Sequence, residues 1–213
     1  MKTSKCKNRC IPLKDWLSER LADISLSCRF VILFTAACLL GICIEANTNY
    51  SLNHIIDGYF SSFHCNDVID FTRNLFLSSS FEFFVLLTAM GSALTFFCSA
   101  FLHFTCIVCG SIYGICVGAL TNVNIQEHNI FVWLYIFSVI AFAVLYSVSA
   151  SFILNTNKQF ISAKRSNESF SKVFISPIFK RYLIGCLKII TAFVLVRILY
   201  VGALSIVQIA QSI

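Results

Sequence analysis

Apolar residues in this chain come in long blocks, without the regular polar alternation of soluble helices and strands. A helix that crosses a membrane needs about 20 predominantly apolar residues, because the hydrocarbon layer is roughly 30 Å thick. The blocks predict five spans, at about 29–46, 75–98, 102–121, 130–154 and 182–210. The expected fold class is therefore all-α, a polytopic helical membrane protein with one membrane domain over 29–213 that follows a basic segment over 1–28.

The turn between the second and third spans lies within a long block that contains no Asp, Glu, Lys or Arg. This block lies between Glu82 and Glu127 and would be about 66 Å long as one helix. Such a length is twice what one span needs, so the block is expected to hold parts of two spans. The small and polar residues Cys98, Ser99 and Ala100 are the best place for the turn between them.

Segments outside the spans also carry apolar residues at helical spacing, and they predict short interfacial helices. They lie at 11–29, in the loop 47–74, and late in the loop 155–181. The basic flank and Trp16 of the first segment are typical of a helix on the membrane surface. A helix that packs on the protein's own cytoplasmic ends would show the same pattern.

Charge decides the expected orientation and excludes one class of function. The chain is 58% hydrophobic and 12% charged, with a formal net charge of +6. Most of its 16 Lys and Arg residues lie before residue 30 or in 155–181, beside apolar segments. Cytoplasmic loops carry such an excess, so this placement indicates topology signals and not a nucleic-acid surface. The N-terminus and 155–181 are expected in the cytoplasm, and 47–74 and the C-terminus outside.

The third span carries a ladder of glycines, Gly110, Gly114 and Gly118. Small residues at every fourth position let a second helix approach closely, and packing of this kind drives helix association in lipid. Packing within one fold is the favoured interpretation of this face. A seam with a partner or with a second copy in a homo-oligomer is the alternative.

Two ionisable residues fall inside predicted spans. Glu82 lies in the second span and Arg197 near the middle of the last one. Charges within a membrane are costly and usually paired, so we expect an intramembrane ion pair between these side chains. A structural role is favoured over a place in a proton or substrate path.

Eleven cysteines raise the question of redox chemistry, above all Cys106 and Cys109, which have the spacing of a dithiol motif. Most of the cysteines fall inside predicted spans or on the cytoplasmic side, where thiols stay reduced. Small apolar filling of the core is the favoured role. A membrane thiol-disulfide oxidoreductase that uses this pair is the alternative.

The loop 47–74 contains two His-x-x-Asp units, His54 with Asp57 and His64 with Asp67, beside Cys65. Each unit places its two side chains on one helical face, but the spacing is unlike a zinc signature. Helix caps and solvated polar side chains are the favoured interpretation, with no metal or other cofactor. The chain also lacks the zincin, nucleophile-elbow and P-loop motifs, so we do not expect an enzyme.

The order of these features resembles stage II sporulation protein M, a bacterial family of small five-span proteins. The chain is similar in its basic N-terminus, first span, apolar outer loop, closely connected spans two and three, and late pair of spans. The most specific segment is 94–120, where Gly110, Gly114 and Gly118 match the glycine ladder of the family. Cys98, Ser99 and Ala100 stand where the family has a Gly and Pro turn.

The resemblance implies a non-catalytic scaffold in a bacterial cell membrane. Such proteins anchor and localise the cell-wall hydrolases that remodel peptidoglycan during sporulation engulfment. The expected partners are membrane lipid and membrane-anchored wall hydrolases, with Tyr59, Phe60 and Phe63 of the outer loop as the partner surface. A transporter or permease subunit for a small solute or ion is the alternative, indicated by Glu82 and Arg197.

Overall fold

A computed structural model describes residues 13–48, 68–122, 125–165 and 176–211, and these residues form helices and the short segments beside them. Five helices follow one another along the chain, and we number them in that order. They are α1 (Leu13–Asn47), α2 (Val68–Ser92), α3 (Cys98–Asn122), α4 (Ile125–Arg165) and α5 (Pro177–Gln211).

Each of the five helices is long and apolar enough to cross a membrane. Large apolar side chains such as Leu40, Phe76 and Leu199 point outward and are 61%, 71% and 73% exposed. In water such a surface would be unstable, whereas in lipid it is the expected exterior. The chain is a polytopic helical membrane protein, as its apolar blocks predict.

Contacts between the helices give their directions. Along α1 and α3 the residue numbers rise together, since Phe30 contacts His103 whereas Ala37 lies beside Gly110. The two helices are therefore parallel. α2 and α4 run the opposite way, and α5 runs with α1. We call the end of the bundle at residues 93–97, between α2 and α3, the turn end.

The turn between α2 and α3 lies a few residues earlier than Cys98–Ala100, where the sequence led us to expect it. α2 ends at Ser92 and α3 already begins at Cys98. The Thr95 hydroxyl donates a 2.8 Å hydrogen bond to the Ser92 carbonyl, and the Asn157 side chain of α4 donates to Ala93 and Thr95. Tertiary contact with α4 therefore stabilises a turn that contains neither Gly nor Pro.

Near the N-terminus, the predicted interfacial helix and the predicted first span are one helix. α1 runs without a break from Leu13 to Asn47, so residues 13–29 continue directly into the span. The loop expected at 47–74 is also shorter, because its last residues already belong to α2, which begins at Val68. Residues 49–67 lie outside the described part of the chain.

The predicted loop 155–181 is likewise partly helical. α4 continues ten residues past Asn155 to Arg165, and α5 begins at Pro177. Proline suits the first position of a helix because that backbone N–H has no helical partner. Phe160 of the α4 extension is buried and contacts the rings of Phe179 and Tyr182. The interfacial helix expected late in this loop falls mainly on residues 166–175, which are not described.

Candidate functional site

An ion pair lies in the interior of the bundle. Glu82 of α2 and Arg197 of α5 are only 3% and 5% exposed, and Arg197 Nη2 contacts Glu82 Oε1. Glu82 is ten residues from the end of α2 at Ser92, or about 15 Å along the helix axis. The structure thus brings together the two residues that the sequence predicts to pair, and it does so away from both ends of the helices.

The guanidinium of Arg197 also contacts α4 and the backbone of α2. Nη1 donates a 2.7 Å hydrogen bond to the Ser138 hydroxyl, and Nη2 donates a 3.0 Å bond to the Ser78 carbonyl. The rings of Phe193 and Tyr200 lie 5.8 and 5.4 Å from the guanidinium carbon. One cation therefore connects three helices, α2, α4 and α5.

The carboxylate of Glu82 extends the cluster to α3. The Tyr113 hydroxyl donates a hydrogen bond to Glu82 Oε1, and the Tyr113 ring packs against Phe34 of α1 and Phe142 of α4. Every helix thus contributes to the cluster or to its immediate packing. The second carboxylate oxygen, Oε2, is buried without a hydrogen-bond partner among the described residues.

The electrostatics of this site favour a fixed pair over a mobile charge. Removal of either ion from water costs several kcal/mol, and the opposite charge with good hydrogen bonds offsets that cost. Five contacts hold Arg197 in place: the carboxylate, the Ser138 hydroxyl, the Ser78 carbonyl and two aromatic rings. An arginine held in this way positions helices.

The glycine ladder of α3 faces α1. A Cβ atom on Gly110 would lie 2.7 Å from the Phe34 carbonyl oxygen, and one on Gly118 would lie 3.2 Å from Glu45 Cβ. At Gly114 a Cβ atom would collide with the backbone of Cys38. The three glycines therefore serve the packing of two parallel helices within one chain.

Gly41 of α1 completes this contact and is not among the residues predicted from the sequence. A Cβ atom on Gly41 would lie 2.9 Å from the Ile115 nitrogen and would collide with the Ser111 carbonyl oxygen. The signal is present in the first span, where Ala37 precedes Gly41 by four residues and forms a second small-x3-small pair.

The hydroxyls of Tyr113 and Ser138 also belong to the cluster and are not among the residues predicted from the sequence, whereas Ser78 contributes its backbone carbonyl. Tyr113 stands inside the glycine ladder, and Ser138 stands alone in a block of large apolar residues. A single hydroxyl in such surroundings is a weak signal, because Ser and Tyr also occur in spans without a charged partner. Only the direction and rotation of the helices show which hydroxyls reach the charges.

The dithiol-like pair lies in the packed core. Cys106 and Cys109 are 0% and 1% exposed, and the Cys106 thiol approaches the Phe30 carbonyl at 3.6 Å. Both are free thiols. In this arrangement another protein's disulfide cannot reach either sulfur without movement of α1 or α4.

Other predicted residues lie elsewhere. His103 is exposed near the turn end, with Nδ1 2.7 Å from the Ser99 carbonyl oxygen. The proposed partner residues and the His-x-x-Asp units lie outside the described residues: Tyr59, Phe60, Phe63, His54, Asp57, His64, Asp67 and Cys65. Among the side chains that the structure describes, no three His, Cys, Asp or Glu residues group as metal ligands would.

No family model, curated protein or solved structure matches the chain.

Proposed function

We propose that this protein is a non-catalytic scaffold that anchors and localises cell-wall hydrolases in a bacterial membrane during sporulation engulfment. The main support for this proposal is that the polar groups inside the membrane hold the helices of the bundle together. Arg197 holds α2, α4 and α5 together, and Tyr113 adds α3 through Glu82. A bundle whose helices are joined in this way suits an anchor, whereas a carrier has to rearrange around its charges.

The identity of the partner rests on the resemblance to stage II sporulation protein M. In that family the chemistry belongs to the hydrolases, and the scaffold positions them. The glycine face of this chain is occupied by α1. A partner, or a second copy in a homo-oligomer, would therefore use another surface, and Tyr59, Phe60 and Phe63 remain our choice.

The proposed orientation places the turn end in the cytoplasm. The exposed cations Lys158, Lys180 and Arg181 lie at that end, and the positive-inside rule favours such an arrangement. Because five spans alternate, the N-terminus would be cytoplasmic and the C-terminus outside. Residues 49–67, which connect α1 to α2 at the opposite end, would then face the cell wall.

Photo-crosslinking in intact cells tests the scaffold. A photoreactive amino acid at Phe60 or Phe63 is expected to capture a membrane-anchored wall hydrolase. Phe97 in the α2–α3 turn provides the matched control, because it is also an exposed phenylalanine, at 78%, and lies at the other end of the bundle. Capture of a hydrolase from Phe97, or of no wall enzyme from either loop position, would contradict the proposal.

A transporter or permease subunit is the second candidate, favoured by the ionisable pair in the bundle interior and by the unbonded Oε2 of Glu82. This candidate predicts that Glu82→Gln, if it leaves abundance unchanged, abolishes a transport phenotype. It also predicts that the crosslinks reach an ATPase subunit or a solute-binding protein. The scaffold predicts normal solute uptake in every variant that folds.

A further inference from the structure

Lys188 of α5 lies on the face that points away from the bundle. Its neighbours on this face, Ile184, Leu195 and Leu199, are 47%, 56% and 73% exposed, and Lys188 itself is exposed. The opposite face of α5 carries buried residues, among them Cys186. In a membrane the Lys188 side chain therefore projects from a lipid-facing surface of α5.

The position of Lys188 along the bundle follows from the contacts on either side of it. Tyr182 donates a hydrogen bond to the Met90 carbonyl, and the Phe193 ring stacks on Phe83 at 6.2 Å. Lys188 is thus level with α2 between residues 83 and 90. The 25 residues of α2 span about 37 Å, slightly more than the roughly 30 Å of hydrocarbon, so the backbone of Lys188 lies inside the hydrocarbon.

An ammonium at this depth needs an anion or water. Among the described side chains of α2 and α4, which pack against α5, the acids are Asp70 and Glu82. Asp70 lies at the end opposite the turn, and Glu82 already pairs with Arg197. Lys188 accordingly has no acidic partner within the described part of the chain.

Arg181 lies on the same face, seven residues and about 10 Å nearer the turn end. Long side chains on a helix lean toward its N-terminus, so the Lys188 stem is directed toward Arg181 and the membrane boundary. A guanidinium at the membrane boundary, with an ammonium directed toward it from deeper on the same face, matches the position and the charge of a lipid phosphate.

We propose that Arg181 and Lys188 bind the headgroup phosphate of an anionic phospholipid from the leaflet at the turn end. Arg181 donates two parallel hydrogen bonds to the phosphate oxygens. Lys188, whose backbone lies deeper in the hydrocarbon, contributes a second positive charge. Two cations favour a headgroup with net negative charge, because the ammonium of a choline headgroup would be repelled. The site is independent of the proposed scaffold function, since it needs only the bundle and the membrane.

Native mass spectrometry of the full chain in detergent, with added phosphatidylglycerol or phosphatidylcholine of identical acyl chains, tests the site. We expect preferential retention of phosphatidylglycerol, and a loss of about fivefold for each cation removed in Arg181→Gln and Lys188→Gln. Lys188→Arg should retain the lipid. Arg73→Gln removes an exposed cation from the other end of the bundle and should leave retention unchanged.

Three outcomes would overturn the assignment. The first is equal retention of the two lipids by the unchanged protein. The second is retention of phosphatidylglycerol by the Arg181→Gln/Lys188→Gln variant at the level of Arg73→Gln. The third is thermal protection by inorganic phosphate alone as strong as that by phosphatidylglycerol, which would show that the site takes a free anion.

Discussion

Gly41 of α1 lies directly against Gly114 of α3, since a Cβ atom on Gly41 would be 3.0 Å from the Gly114 Cα atom. Two backbones this close leave no room for any side chain between them. Close backbone approach gives the packing contacts that drive helix association in lipid, where a hydrophobic force between helices is missing. The α1–α3 pair is therefore the part of the bundle most sensitive to small changes in volume.

Substitution of Gly114 by alanine is expected to destabilise the protein by about 1–3 kcal/mol, because the new methyl group collides with the backbone of Cys38. Gly41→Ala should behave in the same way. The measurement is the midpoint of thermal unfolding in detergent. Gly202→Ala is the matched control, since a Cβ atom there meets nothing within 4 Å. Equal midpoints for Gly114→Ala and Gly202→Ala would show that α1 and α3 lie further apart than this structure places them.

Loss of either member of the intramembrane pair is expected to cost about 3–5 kcal/mol, because the remaining charge stays buried without compensation. Glu82→Gln and Arg197→Met should each lower abundance in the membrane. The double variant Glu82→Gln/Arg197→Met should recover much of it, and so should the exchange of the two charges. The measurement is the abundance of each variant in isolated membranes. Double variants as scarce as the single ones would contradict a pairwise interaction.

The hydrogen bonds from Asn157 to the α2–α3 turn provide a third test. Asn157→Leu keeps the size of the side chain but removes the donors at 2.7 and 2.8 Å from the Ala93 and Thr95 carbonyls. We expect a loss of about 1–3 kcal/mol, with faster amide hydrogen exchange in residues 93–97. Gln159→Leu, at an exposed position of the same helix, is the control. Unchanged exchange in the turn would show that it is stable without α4.

Thiol labelling distinguishes core packing from redox function. Cys106 and Cys109 are buried and should resist maleimide in the native protein in detergent, whereas the exposed Cys28 should react. All three should react after denaturation in sodium dodecyl sulfate. Mass spectrometry of the labelled peptides provides the measurement. Rapid native labelling of Cys106 or Cys109, or a trapped mixed disulfide at either, would support the oxidoreductase alternative instead.

Much of the architecture could be predicted from the sequence alone. Membrane thickness sets the length of a span, so apolar blocks determine the number of spanning helices without any knowledge of their contacts. The cost of isolated charges in lipid made Glu82 and Arg197 a predictable pair. Helix ends were harder to place, because hydrogen bonds of the backbone continue beyond the membrane boundary. α4 accordingly extends to Arg165, well past the expected end near Asn155.

Tertiary structure decided which faces meet. The glycine ladder Gly110, Gly114 and Gly118 predicts a close contact with another helix. Only the tertiary structure shows that this helix is α1, which runs parallel to α3 although α2 separates the two along the chain. The same holds for Ser138, whose hydroxyl reaches Arg197 only because α4 presents that face, and for Asn157, which stabilises a turn over 60 residues earlier in the chain. Periodicity along one helix describes its own faces, whereas rotation relative to its neighbours is determined by the packing of the whole bundle.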